Sequence, residues 1–309
     1  MAEFVKSNWN NVSDINFEGL DENSFKDYKS LLFLDLDGTS KAKEPLLEQF
    51  VFDYLAQLEK QKLVLTIFNS GRPVESLKDM SRDLKLSQRL VIGSNGGRAV
   101  YTKQESNGER THYFYGAQQD PYLASAYKKL KEATPELALF GTYNTNGPDL
   151  IFSVPYDVAL TYREIISKYP EFAHLRVTYC GSGTAHLHSN KTSKGIAIRK
   201  ILATTKYPKE FTMAAGDSYN DLDVAPQVNF TIAVENATPD FKQLATYVSP
   251  YKASFGVVDG VNTFLLNNKL ATETQLKVCQ ERTFQTLDKL ITGLFVKSPF
   301  NNTTTPLTL

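Results

Sequence analysis

Asp35 and Asp37 stand one residue apart at the end of the apolar run Leu31-Leu32-Phe33-Leu34, just ahead of Gly38 and Thr39. A strand that breaks at a glycine can project both carboxylates toward one point. One is then placed to attack phosphorus while the other gives and takes a proton. Taken alone the pair is also an ordinary strand exit, because Asp and Gly are common turn formers. Three further segments favour chemistry. Asn69-Ser70-Gly71-Arg72-Pro73 offers the Ser70 hydroxyl and the N–H groups around Gly71 to phosphate oxygens at a helix start. Lys194-Gly195 opens a later helix and brings a point charge to the same anion. Lys191 competes for that role, but Lys194 lies at the helix N-terminus, where anions sit. The segment 216–221 adds Asp217 and Asp221, oxygen ligands of the kind a hard divalent cation such as Mg²⁺ prefers.

Such residues converge only if elements carry them to one edge. The run 31–34 is apolar on both faces, as a strand buried in a parallel sheet must be. Apolar spacing predicts a helix over 45–60 with proline in its first turn, a strand at 63–68, a helix at 73–84 and a strand at 90–92. Strand, helix, strand, helix, strand means a parallel sheet covered by helices. The character then changes to a hairpin (98–103 and 111–115), helices at 122–133 and 156–168, and strands at 137–143, 150–154, 175–179 and 185–188. The parallel pattern resumes with a helix at 193–204, strands at 211–215 and 230–234, and a helix at 239–245. A last helix, 272–294, carries Leu276, Cys279, Phe284, Leu287 and Leu290 on about one face and is expected to dock on the sheet or on a partner subunit. Residues 1–29 show no clear element and read as a lead-in packed on the surface.

Composition narrows the class. The 309 residues carry 34 basic and 34 acidic side chains and are 41% hydrophobic, which argues against affinity gained by neutralising many nucleic-acid phosphates. The two cysteines, Cys180 and Cys279, have neither zinc-site nor disulfide spacing, so a reducing cytoplasm is expected. No secretory leader stands at 1–10, and no apolar run approaches the roughly 18 residues of a membrane span. Ser70 and Lys194 are 124 residues apart, where one strand–helix–strand unit needs only about 30, so something of domain size is inserted between them.

In this order, each at a strand end or helix start, the four segments resemble those of haloacid dehalogenase superfamily phosphatases. The branch is that of Cof-type hydrolases and sucrose-phosphate phosphatases, with a type IIB cap. The resemblance runs from about Leu31 to Leu266. It implies a doubly wound α/β core at 30–94 and 191–266 and an inserted α+β cap at 95–190. The 1–29 extension and the 267–309 helix and tail are additions to it. It implies that Asp35 is the nucleophile that becomes an aspartyl-phosphate and that Asp37 is the general acid/base. It implies that Ser70, Gly71 and Lys194 bind the phosphate. Asp35, the Asp37 backbone carbonyl and Asp217 would bind Mg²⁺, with Asp221 supporting them.

The expected activity is Mg²⁺-dependent hydrolysis of a small phosphate monoester, a sugar phosphate by class. The partner is then that ester alone, with no nucleic acid and no membrane, and the chain is a monomer or homodimer. Phosphoryl transfer within a sugar phosphate, as in mutases of this fold branch, is one alternative, and a non-catalytic sensor of a phosphorylated metabolite is another. Cap candidates for substrate contact are Asn95, Arg98 and His188, with Asn144, Asn146 and His186 as further polar positions. His186 and His188 alternate on one strand, and the plainer reading is a half-exposed strand face, since paired histidines without a third ligand rarely bind a metal tightly. The stripe Phe140, Tyr143, Ile151 and Phe152 is expected in the cap core, and Asp223 is given no role.

Overall fold

A computed structural model describes residues 15, 17, 19–41, 45–83, 88–106, 108–115, 120–135, 141–142, 149–180 and 183–296. Every side chain of β1 (Leu31–Leu34) is buried, as its unbroken apolar run requires. The chain continues through α1 (Pro45–Lys60), β2 (Leu65–Asn69), α2 (Val74–Asp83) and β3 (Gln88–Gly93), then the hairpin β4 (Arg98–Glu105) and β5 (Gly108–Tyr115). Next come α3 (Tyr122–Ala133), β6 (Gly141–Thr142), β7 (Asp149–Ser153), α4 (Tyr156–Ser167), β8 (Leu175–Cys180) and β9 (Thr184–Ser189). The remainder is α5 (Lys194–Thr205), β10 (Thr212–Gly216), β11 (Phe230–Ala233), α6 (Pro239–Leu244), β12 (Tyr247–Val248), α7 (Ala253–Asn267) and α8 (Glu273–Val296). No described helix is long and apolar enough to cross a membrane.

The large sheet has eight strands in the order β12-β11-β10-β1-β2-β3-β4-β5. Neighbours from β12 to β3 are parallel, and β3, β4 and β5 are antiparallel. The chain winds outward from β1 in two directions, to β2 on one side and to β10 on the other. In such a sheet the crevice beyond the carboxyl ends of the two central strands is where a ligand sits. Alternation along β1 feeds both layers: Leu32 and Leu34 pack with α1 and α7, while Leu31 and Phe33 pack with α5.

A second sheet of four strands, β6-β7-β9-β8, is antiparallel throughout. Leu150, Phe152, Ala185 and Leu187 on one of its faces pack against α3 and α4. The opposite face carries Asp149, Ile151, Cys180, Thr184 and His186 and turns toward the large sheet. Phe152 thus lies in the cap core as expected and Ile151 does not; Phe140 and Tyr143 lie outside the described residues.

Three expectations are corrected, and one helix is added that the sequence reading did not mark. The hairpin 98–115, placed in the cap by sequence order, is the edge of the large sheet, paired to β3 from Gln88↔Lys103 to Gly93↔Arg98. The inserted unit therefore starts at α3; which sheet a hairpin joins is not written in its own residues. The described part of the N-terminal lead-in reaches the core instead of only the surface: Ile15, Phe17, Leu20, Phe25 and Tyr28 are buried in one cluster with Phe33, Tyr101 and Phe114, while residues 1–14 lie outside the described residues. α7 is not marked by the sequence pattern because Gly256 and Gly260 interrupt it, yet a Cβ at Gly260 would come within 2.8 Å of Ile232 Cγ1, so the glycine is what lets the helix lie on β11. Finally, α8 docks on α1, with the Phe284 ring 5.2 Å from that of Phe50, and not on the sheet.

Candidate active site

The Asp35 backbone N–H still follows the sheet, donating to Ala215 O at 3.0 Å, and the chain then turns through Leu36, Asp37 and Gly38. Gly38 holds φ at +85°, and a Cβ there would collide with the Asp217 carboxylate, so this turn and the loop after β10 fit together only through glycine. Thr39 ties them: its hydroxyl lies 3.0 Å from Asp35 Oδ2 and 2.9 Å from Asp217 Oδ1. One hydroxyl has one proton. It satisfies both carboxylates only when one of them is protonated and donates to it. Burial, then the charges of Asp35 and Asp221, push Asp217 up to about 8, which permits that arrangement.

Lys194 is the first residue of α5, whose N-cap Ser193 accepts from the Ile196 N–H at 2.9 Å. Its ammonium is fully buried and donates to Asp35 Oδ1 at 2.5 Å and Asp221 Oδ1 at 2.8 Å. Burial alone would lower the lysine; Asp221 and Asp35 outweigh it and raise it, so the charge stays on. Burial raises Asp35 to about 6, with Lys194 opposing and Asp221 adding to the shift. Asp221 accepts the Asp217 and Ser218 N–H groups, both at 3.2 Å, which fixes the loop carrying Asp217.

Carboxylate oxygens of Asp35, Asp217 and Asp221 all lie within 4.8 Å of one another. Once Asp217 gives up its proton, three carboxylates face one ammonium in a buried place, and every donor is a hard oxygen. That set fits a divalent cation such as Mg²⁺. The Asp37 carboxylate stands apart from it. Both its oxygens are taken by Arg72, Nε to Oδ2 at 2.6 Å and Nη2 to Oδ1 at 2.5 Å. Arg72 is the functional candidate that sequence reasoning passed over, although it directly follows Ser70 and Gly71; only the fold shows that its fork faces Asp37. Ser70 is buried, its own N–H is spent on Ile92 O, and its hydroxyl oxygen accepts the Arg72 N–H at 3.2 Å. The hydroxyl proton remains to be turned toward an anion.

These groups share one cavity of ≈ 180 Å³, lined by Asp35, Asp37, Ser70, Gly71 and Arg72 from the core and by Ile151, Cys180, Thr184 and His186 from the small sheet. The cap candidates divide. Asn95 belongs to the junction after β3; it is buried, left-handed at φ +49°, and accepts from Asn220 Nδ2 at 3.3 Å. Arg98 is not a cap residue: it lies on β4, 4.0 Å from Glu75, away from the cavity. His188 is also set aside. Its ring is buried between Thr178 Oγ1 at 2.9 Å and the Ser189 carbonyl at 2.9 Å, and burial with the Arg176 charge holds it well below the usual range. His186, on the same face, does reach the cavity, and neither histidine is half-exposed. Asn144 and Asn146 lie outside the described residues. Asp223 closes the junction instead of being idle, accepting the Gly195 N–H at 3.3 Å and lying 3.8 Å from Arg176 of β8.

The family model described as haloacid dehalogenase-like hydrolase matches residues 113–261. A phosphoglycolate phosphatase of Methanothermobacter thermautotrophicus is 34% identical over 237 residues, covering 75% of this chain and 97% of that protein. Thermoplasma acidophilum 0175 superposes with a TM-score of 0.60 at 18% identity, over 78% of this chain and 99% of that one. The sucrose-phosphatase of Synechocystis sp., in complex with sucrose and phosphate, does so with 0.54 at 16% identity, over 77% of this chain and 98% of that one. Those two likenesses speak for the fold. The relative matched over nearly its whole length speaks for descent: this chain belongs to the haloacid dehalogenase-like hydrolases, and it is a phosphoric monoester hydrolase.

Proposed function

We propose that the chain hydrolyses a small phosphate monoester, a sugar phosphate by class, with Mg²⁺ bound by Asp35, the Asp37 backbone carbonyl and Asp217, supported by Asp221, and with Asp35 as nucleophile. The supporting observation is that Asp35, paired with Lys194, and Asp37, clamped by Arg72, open on the same small cavity beside Ser70. A phosphate ester brings roughly two negative charges, which carboxylates alone would repel. Lys194 and the Ser70 hydroxyl bind its oxygens next to Asp35. Bound Mg²⁺ would supply the remaining positive charge that phosphoryl transfer needs. Asp37 first takes a proton from solvent as one of its Arg72 contacts opens; Asp35 then attacks phosphorus and becomes an aspartyl-phosphate while Asp37 gives that proton to the leaving oxygen. Asp37 then takes a proton from the water that hydrolyses this intermediate. Arg72 gives up one of its two contacts as the proton moves and keeps the carboxylate aimed with the other.

The cavity, at ≈ 180 Å³, falls below the roughly 300–1,000 Å³ of drug-sized sites and suits a compact leaving group. Thr184 and Asn220 offer it hydrogen bonds. Release of inorganic phosphate is to be measured with Mg²⁺ and with EDTA, for wild type and Asp35→Asn. The panel holds sugar phosphates, nucleotides and, because of the names of the relatives, 2-phosphoglycolate. Metal-dependent release that Asp35→Asn abolishes is expected, greatest on a sugar phosphate. An isomerised sugar phosphate without free phosphate would mean mutase chemistry. Binding without turnover on every ester would mean a sensor.

A further inference from the structure

The cap face over the active site is more polar than a lid requires. In the register of the small sheet His186 lies opposite Ile151 and Thr178, so Asp149 and Cys180 are its diagonal neighbours on the same face. His186 Nδ1 meets Asp149 Oδ2 at 2.7 Å, with both residues buried. Cys180, the other diagonal neighbour, borders the same cavity wall as the ring. Cys180 is a free thiol that lines the cavity, and its Sγ lies 3.5 Å from where a Cβ on Gly71 would stand, directly over the loop that presents Ser70. Thiol, imidazole and carboxylate in series are the arrangement that generates a thiolate nucleophile. The proposed hydrolysis uses none of the three.

We propose that Cys180 is a reactive thiol, activated by His186 and Asp149, and that a hydroperoxide oxidises it to a sulfenic acid that closes the active-site cavity. His186 takes the Sγ–H proton, and Asp149 holds the resulting imidazolium. The thiolate attacks one oxygen of hydrogen peroxide, the O–O bond breaks, and the departing hydroxide takes the proton from His186 and leaves as water. Sulfur loses two electrons and the peroxide gains them. The added hydroxyl stands over Gly71, where it blocks an anion from reaching Ser70. Burial would lower His186, but the Cys180 sulfur and Asp149 outweigh it and raise the ring, in line with a proton resting there. The blocking step rests on the phosphatase reading; the thiol chemistry does not.

The test uses the full chain at pH 7 with hydrogen peroxide plus a sulfenic-acid trap, and separately iodoacetamide, with each cysteine peptide read by mass spectrometry. Cys279, wholly buried between α1 and α8, is the internal control. Cys180 is expected to label at least tenfold faster than Cys279, and at least tenfold faster in wild type than in His186→Gln or Asp149→Asn. Phosphate release is expected to fall more than tenfold in step with labelling, to return with dithiothreitol, and in Cys180→Ser to stay at that variant's own untreated rate. Labelling of Cys180 no faster than Cys279, or equally fast in both variants, overturns the activation. Full labelling with unchanged phosphate release overturns the closure. Absence of phosphate release from any ester sinks the phosphatase reading, and the labelling rates still decide the thiol.

Discussion

At the scale of single residues, the two aspartates of the 35–37 pair are each held by a different cation. Lys194 holds Asp35 and Arg72 holds Asp37, and the two cations are not interchangeable, because only a guanidinium grips both carboxylate oxygens in one plane. Arg72→Lys is therefore expected to lower kcat nearly as far as Arg72→Ala, by about 10²–10⁴, the range general acid–base catalysis supplies, with a smaller change in KM. Steady-state phosphate release measures this. Rescue by lysine would mean that charge alone matters. Metal binding has its own signature. Asp35 and Asp217 have folded-state values raised to about 6 and about 8 from the ordinary 3.8. A raised carboxylate stabilises the fold below its ordinary range and loses that contribution as pH climbs through the folded value. The metal-free protein should thus lose stability between pH 4 and pH 8. Mg²⁺, taking the place of the proton, should raise the melting temperature more at pH 8 than at pH 5; thermal melts with and without EDTA read this, and equal shifts at both pH values would contradict it.

At the scale of elements, the unexpected contributor is the segment before β1. Phe17 packs on Phe114 with ring centroids 5.1 Å apart, and Phe25 meets Tyr101 edge-on at 6.3 Å. The segment thus covers one face of the β4–β5 hairpin. Phe17→Ala should cost about 3–5 kcal/mol in urea unfolding, the range for a buried aromatic, while leaving KM unchanged. A loss under 1 kcal/mol would return the segment to the surface role that its sequence suggests. The polar spacing of 1–29 hides this because its few apolar residues follow neither helical nor strand periodicity. The α7 helix is hidden for a different reason. Its glycines weaken the local helix preference, and the contact with Ile232 that requires them comes from a strand far back along the chain.

At the scale of the whole molecule, the contacts by which cap and core meet include three tyrosines and an ion pair. Tyr219, in the loop between Asp217 and Asp221, stacks on Tyr156 with ring centroids 4.6 Å apart and meets Tyr179 edge-on, while Arg176 approaches Asp223 at 3.8 Å. Both histidine-bearing β9 and the catalytic loops are brought together by these contacts. An aromatic pair is worth about 0.5–1.5 kcal/mol beyond its buried area. Tyr219→Ala should therefore loosen closure and raise KM by up to about tenfold, with kcat falling less; an unchanged KM would show that the stack does not hold the cap shut. The sequence by itself determined the strand ends: where apolar runs stop at Asp35, Asn69 and Gly216, the polar residues that follow are delivered to one edge of a parallel sheet. That is local information, because strand and helix periodicity is carried by neighbouring residues. The 124-residue gap between Ser70 and Lys194 likewise announced an insertion. Only the tertiary structure decided that Arg72 faces Asp37, that Arg98 and His188 turn away while His186 reaches the cavity, and that Cys180 hangs over Gly71. Those relations depend on sheet register and on how two domains meet, and residues far apart in the chain record neither in their own spacing.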